Sequence, residues 1–150
     1  MSLTVTVDSA ALHDLLDRLQ KATGDLTPIM SAIGMEMENR VRGRFETQSD
    51  PLGIPWAPWK PATVKTYPQG GSGKLLDRFG DMLAGSSHTS DSTSATVGFD
   101  RPYAAYHEFG TDKMVRRGLL FADPEAGTLA PDDERAVIDI VMHALDAALG

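Results

Sequence analysis

Leu3, Val5 and Val7 alternate with Thr4 and Thr6, a period-two pattern that predicts a short strand with one buried face. Asp8 or Ser9 is placed to cap the helix that follows. In that helix Leu12, Leu15, Leu16 and Leu19 recur at helical spacing on one face, and Gly24 ends it. Thr27 offers a second N-cap, with Pro28 at the first helical position, where its missing N–H costs nothing. The next helix carries Ile29, Ile33, Met37, Val41 and Phe45 along one stripe, with Glu36, Glu38, Arg40, Arg42 and Arg44 on the other face. It is expected to run to Thr47 and to be one of the two longest elements.

The pattern then breaks. Pro51, Pro55, Pro58 and Pro61 forbid a continuous helix or central strand, and Trp56 and Trp59 lie inside this proline-rich loop. A short helix is expected from Lys60 or Pro61 through Tyr67, then a small-residue loop at Gly70-Gly71-Ser72-Gly73, then a helix over residues 74–85. Residues 86–99 are polar and alternate weakly toward Ala95, Val97 and Phe99, with a turn at Asp91-Ser92, which predicts a β-hairpin. Pro102 starts a short helix and Gly110 stops it. Residues 113–123 form an extended arm or edge strand. The last helix opens on Pro131, Asp132, Asp133 and Glu134, acidic first-turn chemistry that suits the positive dipole end. It buries Val137, Ile138, Val141, Ala144, Leu145 and Leu149. The expected class is α+β: a small antiparallel sheet with packed helices, a long N-terminal helical pair, and an extended C-terminal arm followed by a helix. All of residues 1–150 are read as one domain.

Composition narrows the function classes. A 41% hydrophobic and 23% charged content is ordinary for a globular protein. No run approaches the roughly 18 apolar residues that would span a bilayer, and the N-terminus reads as no signal peptide. Cysteine is absent, so disulfide frameworks, thiolate zinc sites and cysteine nucleophiles are excluded. Fourteen Lys and Arg against 21 Asp and Glu give a net charge of −7, which opposes binding to a phosphate backbone.

The candidate chemistry is thin. Residues 68–75 resemble a phosphate loop only loosely, because Pro68 stands at its first Gly position and Leu75 follows Lys74. His107 and Glu108 are adjacent, so on a helix they point about 100° apart and cannot face one metal ion together. Position 111, where a zinc motif would need its second His, is Thr111. No metal, cofactor or catalytic residue is expected. The enzymatic alternative is a small hydrolase using His107 and Glu108, and a further alternative is a monomeric binding module. Of the two tryptophans, Trp56 is expected in the core and Trp59 at an interface.

Two blocks resemble one family. Arg44, Phe45, Asp50, Pro51, Gly53, Pro55, Trp56, Pro61 and Thr63 form the first block. Val97, Gly98, Pro102, Tyr103, Ala104, His107, Phe109 and Gly110 form the second. Together they are similar to the phage virion morphogenesis proteins, the tail completion proteins of Mu-like phages. Between the blocks the family shows Leu-x-Asp-Thr-Gly-x-Leu. This chain has Leu76-Asp77-Arg78-Phe79-Gly80-Asp81-Met82, keeping the Leu and the Gly. The family's proline-flanked arm is here Arg116-Arg117-Gly118-Leu119-Leu120.

The resemblance implies a structural protein and no enzyme, with a place in the virion and, during assembly, in the host cytoplasm. It implies a role at the head–tail junction, as a component of a self-assembled ring, six subunits being the common number. The expected partners are neighbouring neck, tail-tube or head-completion proteins, with DNA at most passing through without specific contact and no membrane. His107 is then expected in a packed helix anchored by Tyr103, Tyr106 and Phe109. Residues Lys113 to Phe121 are expected to be the subunit-joining arm. Met114, Val115, Leu119, Leu120 and Phe121 would meet a neighbour, and Arg116 and Arg117 would pair with its acidic face.

Overall fold

Helix α1 (Ala10–Thr23) and helix α2 (Thr27–Thr47) are joined by a break whose chemistry is local. Gly24 adopts φ 77° and its N–H returns to the Gln20 carbonyl at 2.8 Å. The Asp25 carboxylate then accepts the Thr27 backbone N–H at 2.9 Å and the Thr27 hydroxyl at 2.8 Å. The capping side chain is therefore Asp25 and not Thr27, which is already the first helical residue. These bonds to Thr27 hold the Asp25 carboxyl below its usual pKa. The computed structural model describes residues 10–58, 81–100 and 103–149. The expected strand at residues 3–7, the short helix after Lys60, the loop at 70–73, most of the 74–85 helix, Trp59 and Pro102 lie outside them.

The architecture is α+β. The hairpin pairs β1 (Ser86–Ser90) with β2 (Ala95–Phe99) antiparallel, in the register Ser86 to Phe99 and Ser90 to Ala95. Its turn is tied by Asp91, whose carboxylate accepts the N–H groups of Thr93 and Ser94, each at 2.8 Å. Helix α3 (Asp81–Ala84) precedes β1, α4 (Ala104–Phe109) follows β2, and α5 (Pro131–Leu149) closes the chain.

Helix α2 is the hub. It packs against β1, β2 and α5, while α1 packs against α5. Its stripe from Met30 through Ile33, Met37 and Val41 to Phe45 is buried, as are Val97 and Phe99 of β2 and Val137, Val141 and Leu145 of α5. At the end of α2, Phe45 meets Trp56 edge-on at 5.7 Å between ring centres and Phe99 at 6.1 Å. Leu149, expected inside, is 72% exposed at the end of α5. Arg44, expected on the solvent face of α2, is buried. No helix among the described residues is long and apolar enough to cross a membrane.

Candidate functional site

The short helix α4 turns out to be oriented by a charge. Its two inward residues are Ala104 and Glu108, four apart and so on one face. Tyr103, Tyr106 and Phe109, expected to anchor the helix, face outward instead, with Tyr106 59% and Phe109 48% exposed. The physical reason is the set of donors waiting for Glu108. Its carboxylate is fully buried and accepts three successive backbone N–H groups, from Leu119 at 2.5 Å, Leu120 at 3.0 Å and Phe121 at 2.8 Å. A carboxylate is acceptor-only, so three converging donors satisfy it inside the protein.

Residues 116–121 form the other half of this construction. The Arg116 guanidinium donates to the Glu108 carbonyl at 2.6 Å and to the Phe121 carbonyl at 2.6 Å, and reaches the Glu108 carboxylate at 3.4 Å. Arg117 donates its backbone N–H to the His107 carbonyl at 2.8 Å. Its side chain donates to the carbonyls of Ala57 at 2.8 Å and Pro58 at 3.1 Å. Gly110 lets the chain reverse: at φ 73° it sits so close to Met114 and Arg116 that a Cβ would lie 3.1 Å from the Arg116 nitrogen.

These contacts correct the expected exposed arm. Leu119 and Leu120 are fully buried and Phe121 is 5% exposed, all within this one chain. Arg116 and Arg117, expected to pair with a neighbour's acidic face, donate within the chain. Val115 remains exposed and Met114 is half-buried. The apolar run lacks helix caps and a partner strand, yet it does not need them, because Glu108 and Arg44 serve as its hydrogen-bond partners.

Arg44 links this segment to the opposite side of the molecule. Its guanidinium donates to the Leu119 carbonyl and to the carboxylate of Asp133, which is fully buried in the first turn of α5. Arg40 donates to the second oxygen of Asp133 at 2.8 Å. Asp133 is thus more than a helix-terminus acid: it holds α5 to α2 through two arginines, and Arg40 also pairs with Glu36 at 3.5 Å.

The proline-rich loop docks on the same centre. Trp56 is buried, and its indole N–H donates to the Gly118 carbonyl at 2.9 Å. Asp50 orders the preceding turn by accepting the N–H groups of Leu52 and Ile54, each at 2.9 Å, with Gly53 at φ 82° and Pro55 bridged to Ser49. Pro51 is buried and Pro55 exposed.

His107 is half-buried beside Arg117. Its Nδ1 is buried with no hydrogen-bond partner among the described residues. Burial first, and then the Arg117 charge, hold its pKa down to about 4. Glu108 has both oxygens occupied and no exposed surface, so it has no route to a substrate. The geometry therefore gives the hydrolase alternative no acid–base pair at these two residues. On the hairpin side, Glu38 accepts from His88 at 2.5 Å, and that bond holds the Glu38 carboxyl below its usual range.

Arg44, Glu108 and Asp133 form an interior polar centre that periodicity does not mark. A signal was present in Glu108 and Ala104 sharing a helical face, but the N–H groups that donate to Glu108 lie beyond the helix.

The comparisons with known proteins agree on one family. The model of the phage virion morphogenesis family matches residues 7–146. The Mu-like prophage FluMu G protein 2 of Haemophilus influenzae is 29% identical over 126 residues, which cover 83% of this chain and 81% of that protein. No solved structure matches the chain. With the family match running through both motif blocks and both long helices, the chain belongs to the phage virion morphogenesis family, and its role lies in phage structure and assembly.

Proposed function

We propose that this protein is a structural component of the head–tail junction, a tail-completion or neck protein that works as a ring of its own copies. The observation that carries the reading is the family match over residues 7–146. The internal use of the charged residues beside the second block is in keeping with it. Glu108, Arg116 and Arg117 spend their polar atoms on ties within the chain, a use that suits an assembly part. The net charge of −7 suits a ring through which DNA passes without adhering. Its neighbours are the adjoining neck, tail-tube or head-completion proteins.

The test is removal of the gene from a phage that encodes this protein, followed by electron microscopy of the lysate. The expected result is filled heads and complete tails lying separate, with joining restored by a plasmid copy. Intact infectious particles at normal yield without the gene would overturn the reading.

A further inference from the structure

The loop after α2 is built as a rigid knob. The Ser49–Pro55 bridge closes it, the Asp50 N–H donates to the Ile54 carbonyl at 2.9 Å, and the Gly53 N–H donates to the Asp50 carbonyl at 2.9 Å. Asp50 also holds the Leu52 and Ile54 N–H groups, and Trp56 locks the base. Every tie fixes backbone, and what the loop projects is two aliphatic side chains, Leu52 at 52% and Ile54 at 58% exposed. Ordering a loop to hold two apolar side chains in water is a cost that a partner's cavity offsets.

The same chain carries a matching hollow. A cavity of about 260 Å³ lies between α1, α2, the hairpin and α5, walled by Leu16, Met30, Ile33, Val97 and Val137, with Thr93 on its border. An apolar cavity of about 150 Å³ already admits benzene, so this one has room for branched aliphatic side chains. The chain's own knob cannot fill it. The wall residues of α2 end at Met37, and the helix runs on to Thr47 before the loop begins, a separation of about 15 Å along the axis.

We propose that Leu52 and Ile54 of one copy seat in this cavity of the next copy. Knob and hollow lie toward opposite ends of α2, so the contact is head-to-tail, and such contacts repeat into a closed ring or an open filament. Two side chains and their surroundings bury far less than the roughly 800 Å² per partner of a standard interface. One contact alone is therefore weak, and a ring in which every copy makes two is the form that holds. This rests on the ring reading above for its biological setting, while the contact itself is tested on the purified protein.

The chain has no cysteine, so introduced thiols report alone. Leu52→Cys and Thr93→Cys, both at exposed positions, are purified separately, checked by circular dichroism, mixed and mildly oxidised. Disulfide-linked dimers should exceed those from either variant alone by roughly tenfold or more, the advantage a specific contact gives through effective concentration. A mixture of Leu52→Cys with Asp139→Cys is the control. Added salt should raise the yield, because it screens the repulsion between acidic copies. Equal yields in all mixtures, or Leu52→Cys joining chiefly to itself, would overturn the contact. In the phage, Leu52→Asp with Ile54→Asp should prevent joining. Normal particles from that variant, where deletion of the gene abolishes joining, would overturn the contact and leave the junction reading standing.

Discussion

The carboxylate of Glu108 accepts the backbone N–H of Leu120 at 3.0 Å, and with the flanking N–H groups of Leu119 and Phe121 it turns an isolated apolar segment into part of the core. A side chain stands where a neighbouring strand would otherwise be. The cost of burying a carboxylate is offset by three charge-assisted hydrogen bonds and by Arg116 beside it.

Replacing Glu108 should therefore destabilise the fold without touching any exposed surface. Glu108→Ala leaves three buried N–H donors without their acceptor, each costing about 1–3 kcal/mol. The total should approach about 4 kcal/mol, and Glu108→Gln should also be costly because its amide sets donors against donors. Urea unfolding followed by circular dichroism measures both. A loss under about 1 kcal/mol for Glu108→Ala would show that water or other groups replace the carboxylate easily.

The Arg44–Asp133 pair predicts a strong coupling. Removing one partner of a buried ion pair costs about 3–5 kcal/mol, whereas replacing both by apolar residues is often neutral. Asp133→Leu should be severe, because it strands both Arg44 and Arg40. Arg44→Met should also be costly, since the Leu119 carbonyl loses its donor as well. The double variant should be more stable than the sum of the single losses implies. A double-mutant cycle with additive losses would contradict the pairing.

Trp56 separates packing from hydrogen bonding. Trp56→Ala removes a buried ring that touches Phe45 and should cost about 3–5 kcal/mol. Trp56→Phe keeps an aromatic ring but leaves the Gly118 carbonyl without its donor, for a smaller loss of about 1–2 kcal/mol. Thermal or urea unfolding of the two variants should rank them in that order, and equal losses would argue against the Gly118 bond.

His107 gives the fold a pH dependence of definite sign. Its pKa is about 4 in the folded chain against the ordinary 6.5 of a free imidazole, lowered by burial and then by Arg117. The unfolded chain therefore binds the proton first as the pH falls. This contribution is present above about pH 6.5 and lost progressively down to about pH 4, an effect on the order of 2 kcal/mol for a partly exposed ring. Unfolding measured across that window should show a shallower acid loss in His107→Phe than in the native protein. Parallel curves would mean that His107 titrates alike in both states.

Local pattern along the chain was enough for the two N-terminal helices, the hairpin, the short helix ended by Gly110, the closing helix and the family. The stripe from Ile33 to Phe45 repeats at helical spacing, the Asp91 turn closes a hairpin, and Gly110 ends α4, because each depends on residues within a turn or two of one another. Which polar residues enter the core depends on contacts between distant parts of the chain. Glu108 finds its donors 11 to 13 residues away, and Arg44 finds Asp133 at a separation of 89. By local pattern alone Glu108 belongs outside and Tyr106 and Phe109 inside. The fold reverses that order, because a buried charge is tolerated only where its partners converge in space, and periodicity carries no information about that convergence.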